Sequence, residues 1–378
     1  MNAPKLRFKE FNDEWLKKEL REISQIYDGT HQTPDYIQNG VPFVSVEDIS
    51  DIEKTNKFIS KNAFEKEFKI KPQVNDILMT RITAGIIGAT AIVKNNGPLG
   101  YYVSLALIRK NKEIDVNYLN QYINCFKFKK ELNKRIIHVA FPKKINLRDI
   151  GKCKISITSI NEQQKIGKTL SLLDKKIELQ SKKIEGLKLF KKSLILDKKN
   201  NVNNWYEYKI SDILNITRGI VISKNDINAN MDDEHIYPVY SSQTSNDGIL
   251  GYDDNYDFDG KYLTWTTDGA NAGKVFYRNG KFRCTNVCGV LYNKNNEFVN
   301  ILTAVLLNIE TPRHVSYVGN PKLMNNVMAD IKVKLPPKSE ERVLSGFLTI
   351  INNKIFYENL KLSKIIKLKK GLMQSMFV

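Results

Sequence analysis

The chain is 378 residues long and 42% apolar, which suits roughly two to three domains with sizeable cores and argues against a disordered polymer. Its 59 Lys and Arg against 41 Asp and Glu give a formal charge of +18, a balance that favours a polyanionic partner, above all nucleic acid. The absence of a run of 18 apolar residues argues against a helical membrane span, the polar start Met1–Glu10 against a signal peptide, and four cysteines against a disulfide scaffold; a reduced cytoplasmic setting is expected.

In chain order, the pattern first predicts an α+β domain over 1–158. Short apolar alternations read as strands at Pro42–Val46, Ile77–Thr80, Ala89–Val93 and Val103–Arg109. Gly85, Gly88 and Gly97 read as turns or bulges, and Val116–Lys134 as a helix. Over 159–199, apolar residues recur at Ile166, Leu170, Leu173, Ile177, Ile184, Leu187 and Leu194, with polar gaps at Gln180 and Lys191. Steps alternating four and three make the 3.5-residue seam of a coiled-coil helix. Residues 200–337 read as a second α+β domain, with strands at Tyr262–Thr266, Lys274–Tyr277 and Val287–Tyr292, turns at Gly269, Gly273 and Gly280, and a helix at Val299–Asn308. Over 338–378 the seam returns at Leu344, Leu348, Ile351, Ile355, Leu362, Ile365 and Leu372, with gaps at Glu358 and Lys369. Asn161 before Glu162 and Ser339 before Glu340 read as N-caps. Each helix of about 36 residues would reach ~54 Å.

These four segments form a repeat. At an offset of 178, Ile155, Ile157, Glu162, Leu170 and Ile177 answer to Val333, Leu335, Glu340, Leu348 and Ile355. At an offset of 190, Trp15, Leu20, Ile23, Ile26 and Gly29 answer to Trp205, Ile210, Ile213, Ile216 and Gly219. Between these ends the likeness thins to Pro42 with Pro238, Leu78 with Leu263 and Pro142 with Pro321. The expected fold is α+β: two similar α/β domains joined by two long antiparallel coiled-coil helices, with an internal pseudo-twofold repeat. In such a pair Gln180 and Glu358 would face each other and fix the register. Residues 1–160 carry +9, 161–200 carry +6, 201–338 carry −1 and 339–378 carry +4.

Catalytic signatures are missing. Gly269–Val275 has the wrong spacing for a phosphate-binding P-loop, and no dinucleotide-binding fingerprint is present. Neither an F-x-G-x-G nor an N-P-P-[YF] string is present, so an amino-methyltransferase site of the usual kind is not expected. Cys284 and Cys288 lack a second pair to complete a zinc site, and His31, His138, His235 and His314 are scattered. Asp253, Asp254, Asp257 and Asp259 with Lys261 could hold Mg²⁺ in a nuclease. A solvated loop is the simpler reading, since the first half has no such cluster.

Several strings together resemble the specificity (S) subunit of type I restriction–modification systems. They are Asp28-Gly-Thr-His-Gln-Thr-Pro-Asp-Tyr36, then Gly40-Val-Pro-Phe-Val-Ser-Val-Glu-Asp-Ile49, then Asn75-Asp-Ile-Leu-Met-Thr-Arg-Ile82, then Phe141-Pro-Lys-Lys-Ile-Asn146, and Ile155–Ile166 with Asn161-Glu-Gln-Gln164. The second half departs from the pattern, with Thr217-Arg-Gly-Ile-Val-Ile222 and Glu340-Glu-Arg342. The resemblance implies target-recognition domains at 1–158 and 200–337, each reading one half of a bipartite asymmetric site in double-stranded DNA. It implies spacer helices at 159–199 and 338–378 that set the gap and dock two modification (M) subunits, and no catalysis or cofactor in this chain. S-adenosylmethionine would belong to the M subunits, and ATP and Mg to restriction (R) subunits.

Candidate DNA contacts are polar and basic residues in loops after strands, because base edges specify and Lys or Arg hold phosphates. In the first domain these are Thr30, His31, Gln32, Arg81, Thr83, His138, Lys143 and Lys144. In the second they are Arg218, Lys224, Gln243, Thr266, Lys274, Arg283, Tyr317 and Lys322. The helix residues expected to pair or to meet partners are the seam positions together with Gln180 and Glu358. A Mg-dependent nuclease and a coiled-coil adaptor without a DNA role are the alternatives.

Overall fold

Runs of branched apolar residues that stay buried on both faces build the centre of each half. A computed structural model describes residues 3–201, 204–293 and 295–378, and the chain forms two compact units: Met1–Ser181 with Leu360–Val378, and Lys182–Asn359.

The first unit opens with β1 (Leu16–Glu19), α1 (Leu20–Ile23) and β2 (Ser24–Asp28), followed by β3 (Tyr36–Ile37), β4 (Val41–Val44), β5 (Phe58–Ile59) and α2 (Lys61–Glu67). Then come β6 (Ile77–Thr80), β7 (Ile82–Thr83), β8 (Thr90–Ile92), β9 (Gly100–Tyr101) and β10 (Leu105–Lys110). The central sheet runs β2-β10-β6-β8, and a smaller sheet runs β3-β5-β4-β9 over its own core of Phe43, Phe64, Phe68 and Tyr101. Helix Val116–Lys134 of the sequence reading is two helices, α3 (Val116–Ile123) and α4 (Phe126–Asn133). Cys125 takes extended backbone and its sulfur accepts from Phe128 N, so it caps a new helix where apolar periodicity continued. The unit closes with β11 (Lys143–Lys144), α5 (Leu147–Gly151) and β12 (Lys154–Ile157), which pairs with β1.

Helix α6 (Ile160–Asn201) follows. The second unit then repeats the opening with β13 (Tyr206–Lys209), α7 (Ile210–Ile213) and β14 (Asn215–Arg218). Next are β15 (Tyr237–Tyr240), β16 (Ile249–Asp253), β17 (Phe258–Thr266), β18 (Val275–Cys284) and β19 (Cys288–Tyr292). Its sheet runs β14-β19-β17-β18-β15-β16, whose first four strands match β2-β10-β6-β8 in order. Helices α8 (Ile301–Glu310) and α9 (Asn325–Asp330) lead to β20 (Lys332–Leu335), which pairs with β13 as β12 pairs with β1. Helix α10 (Lys338–Met376) ends the fold.

The two long helices have 42 and 39 residues, about 63 and 58 Å at 1.5 Å per residue, longer than the seam alone predicts. Both start two residues earlier than expected, at Ile160 and Lys338. Ser159 and Pro337 supply the first carbonyls, to Gln163 N and Glu341 N, so Asn161 and Ser339 sit inside the first turn rather than at the N-cap. Within each unit the segments of α6 and α10 run antiparallel: Lys369 reaches Asp174 in the first, while Lys183 meets Glu358 at 2.8 Å and Lys191 meets Asn352 at 2.8 Å in the second. Every seam position is withdrawn from solvent, with Ile166, Leu170, Ile184, Leu344, Leu348 and Ile351 fully buried and Leu173, Ile177, Leu187, Ile355, Leu362 and Ile365 half-buried. The polar gaps carry specific contacts. Glu358 is buried and held by Lys183 and by Lys354 at 3.4 Å, and burial pushes the Lys191 ammonium below its usual range, with Lys274 adding repulsion. Gln180 is half-buried on the same seam.

Candidate nucleic-acid interface

The strand after the centre of each sheet carries a hairpin. In the first unit the chain leaves β6 through Arg81 into β7, which pairs with β11: Thr83 lies opposite Lys143 and Ile82 opposite Lys144. Ile137 N donates to Lys144 O at 2.8 Å, closing a tip over 138–143. In the second unit the equivalent Asp268 lies opposite Lys322. Ser316 and Lys322 exchange two backbone hydrogen bonds of 2.9 Å, closing a tip over 317–321. Gly269 N donates to Pro321 O at 2.9 Å, and Gly319 at φ +75° makes the turn a branched residue would resist.

The first hairpin gathers Thr83, His138, Lys143 and Lys144, the last three exposed. Arg81 lies beneath it, 8% exposed, donating to Val103 O at 2.9 Å and Ile145 O at 3.2 Å and pairing with Asp28 at 3.1 Å. Asp28 also receives exposed His31 at 2.8 Å, so the 30–32 loop, Arg81 and the foot of the hairpin form one neighbourhood. Thr30 is buried and bonded to Glu67 at 2.9 Å, and Gln32 is exposed. A groove of about 630 Å³ beside the hairpin is lined by Ile86, Phe126, Lys129, Lys130, His138 and Lys143.

The second hairpin gathers Tyr317 and Lys322 with the Thr266–Lys274 turn. Thr266 is buried; its hydroxyl donates to Asn271 O and accepts from Lys274 N at 3.1 Å, while the Lys274 side chain is exposed. Arg218 is half-buried and held by Asn325 at 2.8 Å. Gln243 donates to Ile249 O in the turn before β16, away from the hairpin. Lys224 opens a short helical turn, Lys224–Asp226, and its side chain lies outside the described residues. Arg283 is a structural clamp, donating to Asp253 at 2.8 Å and to Asp257 at 3.1 Å. Burial alone would raise Asp253, but Asn255 N and Arg283 hold its carboxyl below the usual range. The acidic cluster is therefore ion-paired through Asp253 and Asp257. Among the described residues no group of three or more His, Cys, Asp or Glu is placed to hold a metal.

Sequence reasoning picked out Tyr317 but missed the other apolar tip residues. Val139 and Phe141 are 98% and 91% exposed, Tyr317 and Val318 68% and 92%. The available signal was the pairing of Pro142 with Pro321, three residues after each valine.

The description "Type I restriction modification DNA specificity domain" fits residues 12–189 and again 203–368. The chain belongs to this type I specificity family. The specificity subunit of type I restriction enzyme MpnII from Mycoplasma pneumoniae is 43% identical over 142 residues, 37% of this chain and 42% of that protein. Another protein of that organism, described as a type I specificity subunit, is 35% identical over 227 residues, 58% of this chain and 82% of that protein. The crystal structure of the S subunit of a type I restriction–modification system from M. genitalium matches with a TM-score of 0.71 at 16% identity, covering 100% of this chain and 99% of that one, a likeness of fold.

Each long helix of this specificity protein has a second apolar stripe besides its seam. On α6 it comprises Leu172, Leu179 and Phe190, and on α10 Val343, Phe347, Ile350 and Tyr357, all exposed. No helix among the described residues is long and apolar enough to cross a membrane, so the stripes are not bilayer anchors of that kind.

Proposed function

We propose that each unit reads one half of a bipartite site in double-stranded DNA, as a specificity subunit without catalysis of its own. The observation that carries this is the duplicated frame: the same four-strand order, the same β1–β12 and β13–β20 closures, and the same lysine-bearing hairpin, on units whose remaining loops differ. Divergent loops on a shared frame suit two different base sequences, while the lysines suit phosphates. The helices would set the gap between the half-sites, and their outer stripes would receive two M subunits that bring S-adenosylmethionine and flip the target adenine. R subunits bringing ATP and Mg would join through them.

The test is single-molecule sequencing of methylated adenines in a host without other methyltransferases, expressing this chain with its M subunit and the M subunit alone. A bipartite motif of fixed gap, present only with both proteins, is the expected result. Folded, associated proteins that add no methylation would turn the reading towards the adaptor.

A further inference from the structure

A valine in water is ordinary; a valine over 90% exposed at the same step of a duplicated hairpin is not. Val139 and Val318 stand three residues before Pro142 and Pro321, each beside an exposed ring, Phe141 or Tyr317, and each above the lysine that closes the hairpin, Lys144 (with Lys143 next to it) or Lys322. Single exposed apolar residues need no explanation. Here, however, the loops around the hairpins have diverged, and the second unit is near neutral while the first is strongly basic. The apolar tip and its lysine have persisted through both changes.

The surroundings select the occupant. The first tip stands over a groove lined by Ile86, Phe126 and Lys130, with exposed Lys143 and Lys144 at its base, and the second stands beside Lys322 and the Lys274 turn. Apolar apex and cationic flank are complementary to a groove whose floor carries base edges and whose walls carry phosphates. Paired strands lie about 4.8 Å apart, and the major groove, about 12 Å wide, admits a two-stranded ribbon without deformation, whereas the minor groove, about 6 Å wide, must first be widened at a cost. The only apolar group on the major-groove floor is the C5-methyl of thymine.

Resting on the specificity reading above, we propose that the two hairpin tips are base-reading elements: Val139 and Val318 contact base edges and thymine methyl groups in the major groove, and Lys143 and Lys322 grip the flanking phosphates. Specificity in each unit is then set partly by shape and apolar contact at the apex.

The experiment uses the full chain with its M subunit. Methylation motifs are read in cells, and binding to cognate and unrelated duplexes is measured for wild type, Val139→Asp and Val318→Asp. Val139→Asp should weaken or degenerate the half-site read by the first unit by about 5- to 100-fold, as a mismatched base pair does, and leave the other half intact; Val318→Asp should do the converse. Removing one thymine methyl with a uracil substitution at the affected step should cost the wild type about fourfold, the worth of one buried methyl-sized group, and cost the Asp variant nothing further. Both valines project into solvent, so melting temperatures should not move; if an Asp variant fails to assemble, Val139→Ser and Val318→Ser carry the same test. A wild-type motif retained unchanged by both variants overturns the proposal alone, as does an equal loss on every sequence, which would make the tips backbone contacts. A wild type that methylates no bipartite motif removes the specificity reading and the proposal together.

Discussion

The two units share a frame and differ in what fills it. Gly29 and Gly219 show the frame. A Cβ at Gly29 would stand 2.5 Å from Tyr101 O, and one at Gly219 would stand 2.1 Å from Cys284 O, because in both units the chain leaving the first long strand runs against a neighbouring backbone. Trp15 and Trp205 are buried at the matching entrance. Inside the sheet the units diverge by exchange. Met79 faces Ala106 across β6 and β10, while at the equivalent place Trp265 faces Gly289 across β17 and β19. The larger side chain on β17 is matched by a smaller residue on β19, and a Cβ on Gly289 would fall 2.2 Å from the Trp265 ring. The frame constrains total volume and leaves its distribution free, as packed interiors generally do.

That exchange yields the largest expected effect. Trp265→Ala should destabilise the second unit by about 3–5 kcal/mol, since the side chain is wholly buried and its N–H is bonded to Leu323 O. Gly289→Ala should also be damaging, since its Cβ overlaps the Trp265 ring, and the double variant Trp265→Met with Gly289→Ala, which copies Met79 and Ala106 of the first unit, should recover part of the loss. Denaturant unfolding with probes in each unit would show it. A double variant no better than either single one would mean the pair is not a volume exchange.

Arg81 comes next. Its guanidinium joins β6, the hairpin and Asp28, so Arg81→Met should cost the first unit about 2–3 kcal/mol by stranding two carbonyls and a carboxylate. DNA binding by that unit should fall with folding and recover in a stabilised background. A variant that melts like wild type yet fails to bind would instead make Arg81 a direct contact. The second unit has Thr267 at this place, so its hairpin should not answer to any such arginine.

Periodicity made the long-range architecture legible, and short pairing hid the site. The seam from Ile166 to Leu372 and the 178-residue offset survive because a coiled-coil face must repeat to stay buried. The duplicated Trp–Gly opening survives because close backbone approach tolerates little else. The hairpin strands Ile82–Thr83 and Lys143–Lys144 are two residues each, too short for alternation, and exist only through partners 60 and 62 residues away. Arg81 and Arg283 read as free cations because their partners, Asp28, Asp253 and Asp257, are identifiable only once the strands are placed. The long helix expected at Val116–Lys134 failed at Cys125, whose capping sulfur gives no polar punctuation in the sequence.

Two buried lysines sharpen the comparison through pH. In the first unit burial lowers the Lys129 ammonium to about 8, and in the second it lowers Lys191. Below about pH 8 Lys129 is charged in both folded and unfolded chains, so the burial penalty is full. Between about 8 and 10.5 the folded chain gives up its proton first, the unfolded chain binds more protons, and stability rises with pH; above 10.5 the penalty is gone. The first unit should gain on the order of 2 kcal/mol across that window, and Lys129→Met should remove that gain while leaving the rise from Lys191 in the second unit.

The smallest expected effect separates the hairpin lysines. Lys143 lies opposite Thr83, whereas Lys322 lies opposite Asp268, with Nζ 3.8 Å from its carboxylate. A phosphate must compete with that carboxylate for Lys322 but not for Lys143. Each phosphate contact contributes about 0.9 to the slope of log affinity against log salt, so Lys143→Ala should lower the slope by nearly one and Lys322→Ala by less, with neither changing the melting temperature. Asp268→Asn should move the other way, strengthening binding and steepening the slope, because it frees Lys322 and removes a negative charge from the near-neutral unit. Equal slopes for the two alanine variants, and no response to Asp268→Asn, would show that the acidic partner yields without cost when DNA arrives. The weaker positive charge of the second unit would then have to be offset by contacts to bases.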